Sequence, residues 1–257
     1  MNEETPTADP SHADIGVVCA LKLEIAPFLE RCDRMRKYTG GDFTFRGGLT
    51  GPDYETRVVT VEAGTGPVRA ARATQALIDA HTPRWVISAG FSGGLLPDLK
   101  IGDLVIGNSI VNAAGEELTV DVRMAADPGR GWHVGRLVMV DEIVRSVVEK
   151  QQLAERTGAL AVDLESLAVA RKCAENHIRF LAVRAISDNL SEDLPPEVLS
   201  VFGGSGTLRA GAIAGAVWKR PSSVKDMWRL RERAVTASER LAEFLQLILP
   251  KLMDAAG

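Results

Sequence analysis

Three carboxylates stand where apolar, strand-like runs end. Glu24 follows Ile15 to Leu21, Glu165 lies in Val162-Asp163-Leu164-Glu165-Ser166-Leu167-Ala168, and Asp188 closes Arg184-Ala185-Ile186-Ser187-Asp188. A positioned carboxylic acid can protonate a leaving group, and a carboxylate can activate water or hold hydroxyls through charge-assisted hydrogen bonds. Each acid also has a plain structural account. Acids favour the first turn of a helix, and a Ser-Asp pair at a strand end commonly caps or turns the chain. Taken together, they predict one converging site, because open α/β sheets bind ligands beyond the carboxyl ends of their strands. Asp163 lies two residues before Glu165 on an extended segment, so the two point the same way. One is expected to face the site and the other to cap the helix that begins near Ser166.

Two glycine-rich segments share this setting. Gly64-Thr65-Gly66-Pro67 opens a helix, with Thr65 as the expected N-cap and free backbone N–H groups that could meet a polar ligand. It lacks the Lys-Ser/Thr pair of a phosphate loop and the third glycine of a dinucleotide fingerprint. Gly90-Phe91-Ser92-Gly93-Gly94 leaves the strand Arg84 to Ala89 as a loop whose backbone can approach a ligand closely. Tight turns would account for either segment alone.

The elements that must position these residues read as alternating strands and helices. Ile15 to Leu21 is a continuous buried strand, and Leu23 to about Cys32 a helix. Strands follow over Asp42 to Leu49 and Arg57 to Glu62, joined through Gly51-Pro52-Asp53. Further strands span Leu104 to Val111, Arg136 to Val140, Ala159 to Val162 and Phe180 to Ile186. Helices span Glu142 to Arg156 and Ser166 to Asn176. From Pro195 the pattern is helical, broken at Gly203 to Gly206 and stopped at Pro221, with a last helix from Ser223 to about Leu249. This alternation predicts a single α/β domain over residues 14–257 with a mostly parallel sheet. Residues 1–13 are polar, carry two prolines, and read as a disordered tail without the features of a signal or transit peptide.

The bulk composition excludes several classes. The chain has 257 residues, 46% of them hydrophobic, enough for one large core. A net charge of −4 argues against general nucleic-acid binding, and no run is long and apolar enough to insert in a membrane. Cys19, Cys32 and Cys173 are scattered, which fits thiols of the cytoplasm better than a disulfide frame. His12, His81, His133 and His177 lack metal-ligand spacing, so no metal is expected. His133 reads as a surface residue, and Arg69 and Arg72 as solvent-facing helix arginines.

In order along residues 14 to about 190, these segments resemble the purine nucleoside phosphorylase and uridine phosphorylase superfamily, and within it the 5′-methylthioadenosine/S-adenosylhomocysteine nucleosidases. The matching pieces are Ile15 to Leu21 leading to Glu24, Gly64-Thr65-Gly66-Pro67, Ser88 to Leu95 with Lys100 to Asp103, Val162 to Glu165, and Arg184 to Asp188. The tail, with Leu194-Pro195-Pro196 and Lys219-Arg220-Pro221, is similar to a hopanoid-associated branch described as phosphorylases. Phe91 stands where these enzymes usually carry a small hydroxyl residue. The stretch between Val122 and Arg136, which normally contributes base-stacking and 5′-side contacts, is shorter than usual.

The resemblance implies a nucleoside phosphorylase-like α/β fold with a mixed, mostly parallel central sheet flanked by helices. It implies a homo-oligomer, a small-molecule nucleoside substrate and no cofactor. Asp188 would protonate the departing purine at N7, with Ser187 orienting it, and Glu24 would activate water. Glu165 would bind the ribose hydroxyls. Gly64, Gly90, Phe91, Ser92, Leu164 and Met139 would complete the substrate contacts. Phosphorolysis would need arginines around phosphate. The superfamily's phosphorylases place one after the first strand and one before the glycine-rich loop, where this chain has Lys22 and Glu24, then Ile87 and Ser88. Water is therefore the expected nucleophile. The alternatives are a phosphate-dependent nucleoside phosphorylase and a catalytically silent nucleoside-binding module.

Overall fold

The first strand, β1 (Ile15–Cys19), is buried at every position. Ile15, Val17 and Cys19 enter one apolar core and Val18 the opposite one, so the strand is covered on both faces and reads as an unbroken apolar run. The computed structural model describes residues 12–195 and 222–254. After β1 come α1 (Lys22–Glu30), β2 (Asp33–Gly40), β3 (Phe43–Thr50), β4 (Thr56–Glu62), α2 (Pro67–His81), β5 (Trp85–Gly94), β6 (Leu104–Asn112), β7 (Glu117–Thr119), β8 (Trp132–Met139), α3 (Val147–Thr157), β9 (Ala161–Asp163), α4 (Ser166–Glu175), β10 (Arg179–Asp188) and α5 (Ser222–Asp254).

The central sheet is mixed and flanked by helices, as the alternating pattern implies. β1 lies parallel between β4 and β5, and β5 lies parallel to β10. Beyond β10 the sheet turns back on itself. β10 pairs antiparallel with β6, β6 parallel with β8, β8 parallel with β9, and β9 antiparallel with β5. Five strands thus form a closed ring, with β1, β4, β3 and β2 extending from it. Parallel and antiparallel pairings occur in equal number, so the sheet is less parallel than its strand–helix alternation suggests.

One core lies under α2 and α4, around Val18, Val61, Ala73, Leu77, Leu167 and Val169. A second lies under α1 and α5, where Ile25 and Phe28 meet Leu241, Phe244 and Leu245, and a smaller third gathers Leu95, Val138, Leu153 and Val162.

Several local expectations change. Gly90 to Gly94 are strand residues of β5, not a loop, because β10 and β9 pair along them. The cap of α2 is Gly66 at φ 98°, a left-handed conformation that Thr65 would adopt at a cost. Helix α3 starts five residues later than Glu142, at a capping box of Ser146 and Glu149. Helix α5 runs through Pro250 to Asp254. β2 was not apparent from its sequence, being polar and largely exposed at the sheet edge. Of the expected tail, residues 1–11 lie outside the described residues, whereas Ala13 is fully buried and bonded to His81. The glycine break, the stop at Pro221 and nearly all of the hopanoid-like tail also lie outside them. Among the described residues no helix is long and apolar enough to cross a membrane.

Candidate active site

Glu24 is the third residue of α1 and reaches back to its own cap, where the Leu21 N–H donates to Oε2 at 2.8 Å. Its other oxygen leaves the helix and accepts the N–H of Phe91 on β5 at 3.0 Å. The local account of a first-turn acid is therefore half of the truth, and the second bond crosses between elements. A Cβ on Gly90 would lie 2.8 Å from Glu24 Oε1, so the bare glycine lets the carboxylate approach the strand. Burial raises the Glu24 carboxyl above the ordinary glutamate range, and the Leu21 and Phe91 N–H groups oppose part of that rise.

The two acids at the end of β9 divide their duties. Asp163 Oδ1 accepts the N–H groups of Glu165 and Ser166, both at 2.9 Å, and so caps α4. Its Oδ2 takes the Arg184 Nε–H at 2.8 Å in a fully buried ion pair. Arg184 also donates to Ser88 Oγ at 2.7 Å and to the Ser88 carbonyl at 3.0 Å. Glu165 is left to face the cavity, with Oε1 accepting the Gly66 N–H at 2.8 Å. This bond ties the turn before α2 to the site. Burial, reinforced by the Asp163 charge, pushes the Glu165 carboxyl up to about 8, while Arg184 and Gly66 pull the other way.

That upward shift has a defined sign. In the unfolded chain Glu165 ionises near the ordinary value of 4.5, whereas the folded protein holds its proton to about 8. The stabilisation is full below the lower value and is lost as pH rises through the higher one. Glu165→Gln removes the titration, so the variant's melting temperature relative to the unmutated protein should climb between pH 5 and pH 8. A flat difference across that range would count against the buried acid.

Asp188 ends β10, where the register against β5 shifts between Ile186 and Asp188. Ser187 Oγ donates to Asp188 Oδ1 at 3.1 Å, as the Ser-Asp pair implied. The other oxygen, Oδ2, meets the ammonium of Lys150 from α3, a partner that no local pattern announced. A Cβ on Gly93 would stand 3.1 Å from Asp188 Oδ2, so this glycine, like Gly90, clears room for an acid.

Glu24, Glu165 and Asp188 line one cavity of about 170 Å³, with Thr65, Phe91, Ser92, Gly93, Leu164 and Ser187 on its wall. The convergence expected from the three strand ends is met. Ile143, Val144, Leu194, Leu230 and Ala234 form an apolar side of the same cavity. Behind Glu24 and Glu165 a recess of about 10 Å³ is bounded by Gly90, Ser88 and Arg184. Its size is about that of one water molecule. Ser92 Oγ is buried on the cavity wall and finds no partner among the described residues, which leaves it open to a ligand.

Other expected contacts lie elsewhere. Met139 faces a separate groove beside α2 and α4, because the alternation along β8 turns it away from the acids. Gly64 is off the cavity wall, and its neighbour Thr65 takes that position. Arg69 is not solvent-facing; it folds over Gly64 and donates to the Ala63 carbonyl at 2.8 Å. Arg72 is exposed and pairs with Asp42. His133 is half-buried, 3.2 Å from Asp103 and outside the cavity. Phe91 lines the cavity, and its N–H holds Glu24. The described residues contain no cluster of three or more side chains suited to a metal ion.

The chain is similar to known proteins in sequence and in fold. A 5′-methylthioadenosine/S-adenosylhomocysteine nucleosidase of Thermotoga maritima is 31% identical over 186 residues, covering 68% of this chain and 84% of that protein. Its counterpart in Staphylococcus haemolyticus is 28% identical over 202 residues, covering 68% and 86%. Among solved structures, an S-adenosylhomocysteine nucleosidase of Streptococcus pyogenes in complex with 5-methylthiotubericidin superposes with a TM-score of 0.68 at 18% identity, covering 96% of this chain and 99% of that one. A futalosine hydrolase of Helicobacter pylori superposes with a TM-score of 0.67 at 19% identity, covering 93% and 98%. The family model described as the phosphorylase superfamily matches residues 14–129 and 121–217, which carry every acid of the cavity. On that match, the chain belongs to the phosphorylase superfamily.

Proposed function

We propose that the protein is a nucleosidase that uses water to cleave the N-glycosidic bond of a purine nucleoside such as 5′-methylthioadenosine or S-adenosylhomocysteine. The observation that carries this reading is the water-sized recess against Glu24 and Glu165. Breaking the bond develops positive charge on the ribose and negative charge on the base. Asp188 protonates the base at N7, Glu165 holds the ribose hydroxyls, and Glu24 takes the proton of the attacking water. Burial supports the last role by making Glu24 a stronger base. Ser187 orients Asp188. Gly90, Ser92 and the Phe91 N–H shape the sugar side, while Leu164 and the apolar wall meet the base or the 5′ substituent. The names of the relatives support the adenine base and the 5′-thio substituent.

Water is favoured over phosphate on charge as well as size. Arg184 is the basic side chain against the recess among the described residues, and it is committed to Asp163 and Ser88. The ionised Glu24 there would repel a phosphate dianion. The test is incubation with 5′-methylthioadenosine, with and without phosphate, and identification of the sugar. Free 5-methylthioribose formed at the same rate in both is the expected result. A 1-phosphorylated sugar would make the protein a phosphorylase, and ligand binding without base release would make it a silent binding module.

We further propose that the protein acts in the cytoplasm as a homo-oligomer. The superfamily resemblance supports assembly, and light scattering of the purified chain tests it, with a mass of one protomer as the opposing result.

A further inference from the structure

Lys150 has no part in the chemistry above, yet its side chain is completely buried. Lysine is almost never fully buried unless paired. It sits in the first turn of α3, held by the Ser146–Glu149 capping box. Its stem runs under β5, where a Cβ on Gly93 would stand 3.4 Å from Cε. Its ammonium donates to Asp188 Oδ2 and, at 3.3 Å, to the Asn189 carbonyl. Ser187 holds Asp188 Oδ1 from the other side.

Stability gives little reason for this pair. Replacing a buried ion pair with apolar residues of similar volume is often neutral or stabilising. We propose that Lys150 is a positioning residue for Asp188: it fixes Oδ2, leaves Oδ1 to meet the base, and faces the carboxylate formed when the proton departs. The inference rests on the nucleosidase reading. As the bond from C1′ to the base breaks, its electron pair goes to the base, and the carboxyl proton of Asp188 passes to N7. Lys150 keeps its own protons throughout. Water gives hydroxide to C1′ and a proton to Glu24. One proton lost from Glu24 to solvent and one gained by Asp188 restore the starting state.

A double-mutant cycle on 5′-methylthioadenosine tests this, using the full chain as wild type, Lys150→Met, Asp188→Asn and the double variant. Lys150→Met should lower kcat by about tenfold or more, a share of the 10²- to 10⁴-fold general-acid effect, with KM changed less than about threefold. The double variant should be no slower than Asp188→Asn, because the lysine works through the acid. If Lys150→Met is too unstable to assay, a double variant slower than Asp188→Asn would still overturn the inference, since it leaves no buried charge unpaired. Losses that multiply, or a Lys150→Met enzyme at the wild-type rate, would overturn the inference and leave the nucleosidase reading standing. No base release by the wild type would instead sink that reading, and this inference with it.

Discussion

Asp188→Asn should cut kcat on a purine nucleoside by about 10²- to 10⁴-fold, the range of a lost general acid, while nucleoside binding persists. The asparagine keeps the shape of the side chain and can still meet Ser187, whose hydroxyl holds Oδ1. It cannot give up a carboxyl proton. The same change puts an amide N–H₂ where the oxygen that meets the buried Lys150 ammonium stood, and a buried polar group left without its partner costs about 1–3 kcal/mol. The variant should therefore melt at a lower temperature, and rates must be read well below that midpoint. Equilibrium binding of a nucleoside, set beside single-turnover base release, separates the two effects. Base release at the wild-type rate would remove Asp188 from the chemistry.

Glu24→Gln is expected to have the next largest effect, again about 10²- to 10⁴-fold in kcat, through loss of the base that receives the water proton. The amide also offers one acceptor where the carboxylate offers two, so one of the Leu21 and Phe91 N–H groups loses its partner. A buried N–H left without its partner adds about 1–3 kcal/mol of destabilisation. The wild-type pH profile carries a second signature. The proposed base must be ionised, and burial holds the titration of Glu24 above that of an ordinary glutamate. On the acid side kcat/KM should fall as Glu24 takes up its proton, at a pH higher than an exposed glutamate would give. A variant that hydrolyses at an undiminished rate would exclude Glu24 as the base.

The two changes differ in what they leave behind. On the proposed mechanism, Asp188→Asn should spoil the leaving group and spare the water, whereas Glu24→Gln should do the reverse. A substrate with a base that departs without protonation should rescue the first variant and not the second.

Much of the scaffold was legible from local pattern. β1 announces itself as a short β-branched run, because a strand covered on both faces is apolar throughout. Asp163 and Glu165 could be assigned a cap and a cavity ligand without saying which was which. β2 was hidden because an exposed edge strand carries charges instead of an apolar face. Its place is fixed by pairing with β3 and by Tyr38 stacking on Phe45 at 5.5 Å. Gly90 to Gly94 read as a loop because glycine disfavours strands, yet two neighbouring strands hold the segment extended.

By itself the amino-acid order determined which side chains can donate or accept a proton, and that three of them lie at strand ends. Those properties depend on residues a few positions apart. Only the tertiary structure decided that the sheet closes through β9 and β6, and that Met139 turns from the acids. It alone set Lys150 against Asp188, 38 residues later in the chain. Such pairings depend on register and helix docking, which many distant contacts fix jointly and no short segment encodes.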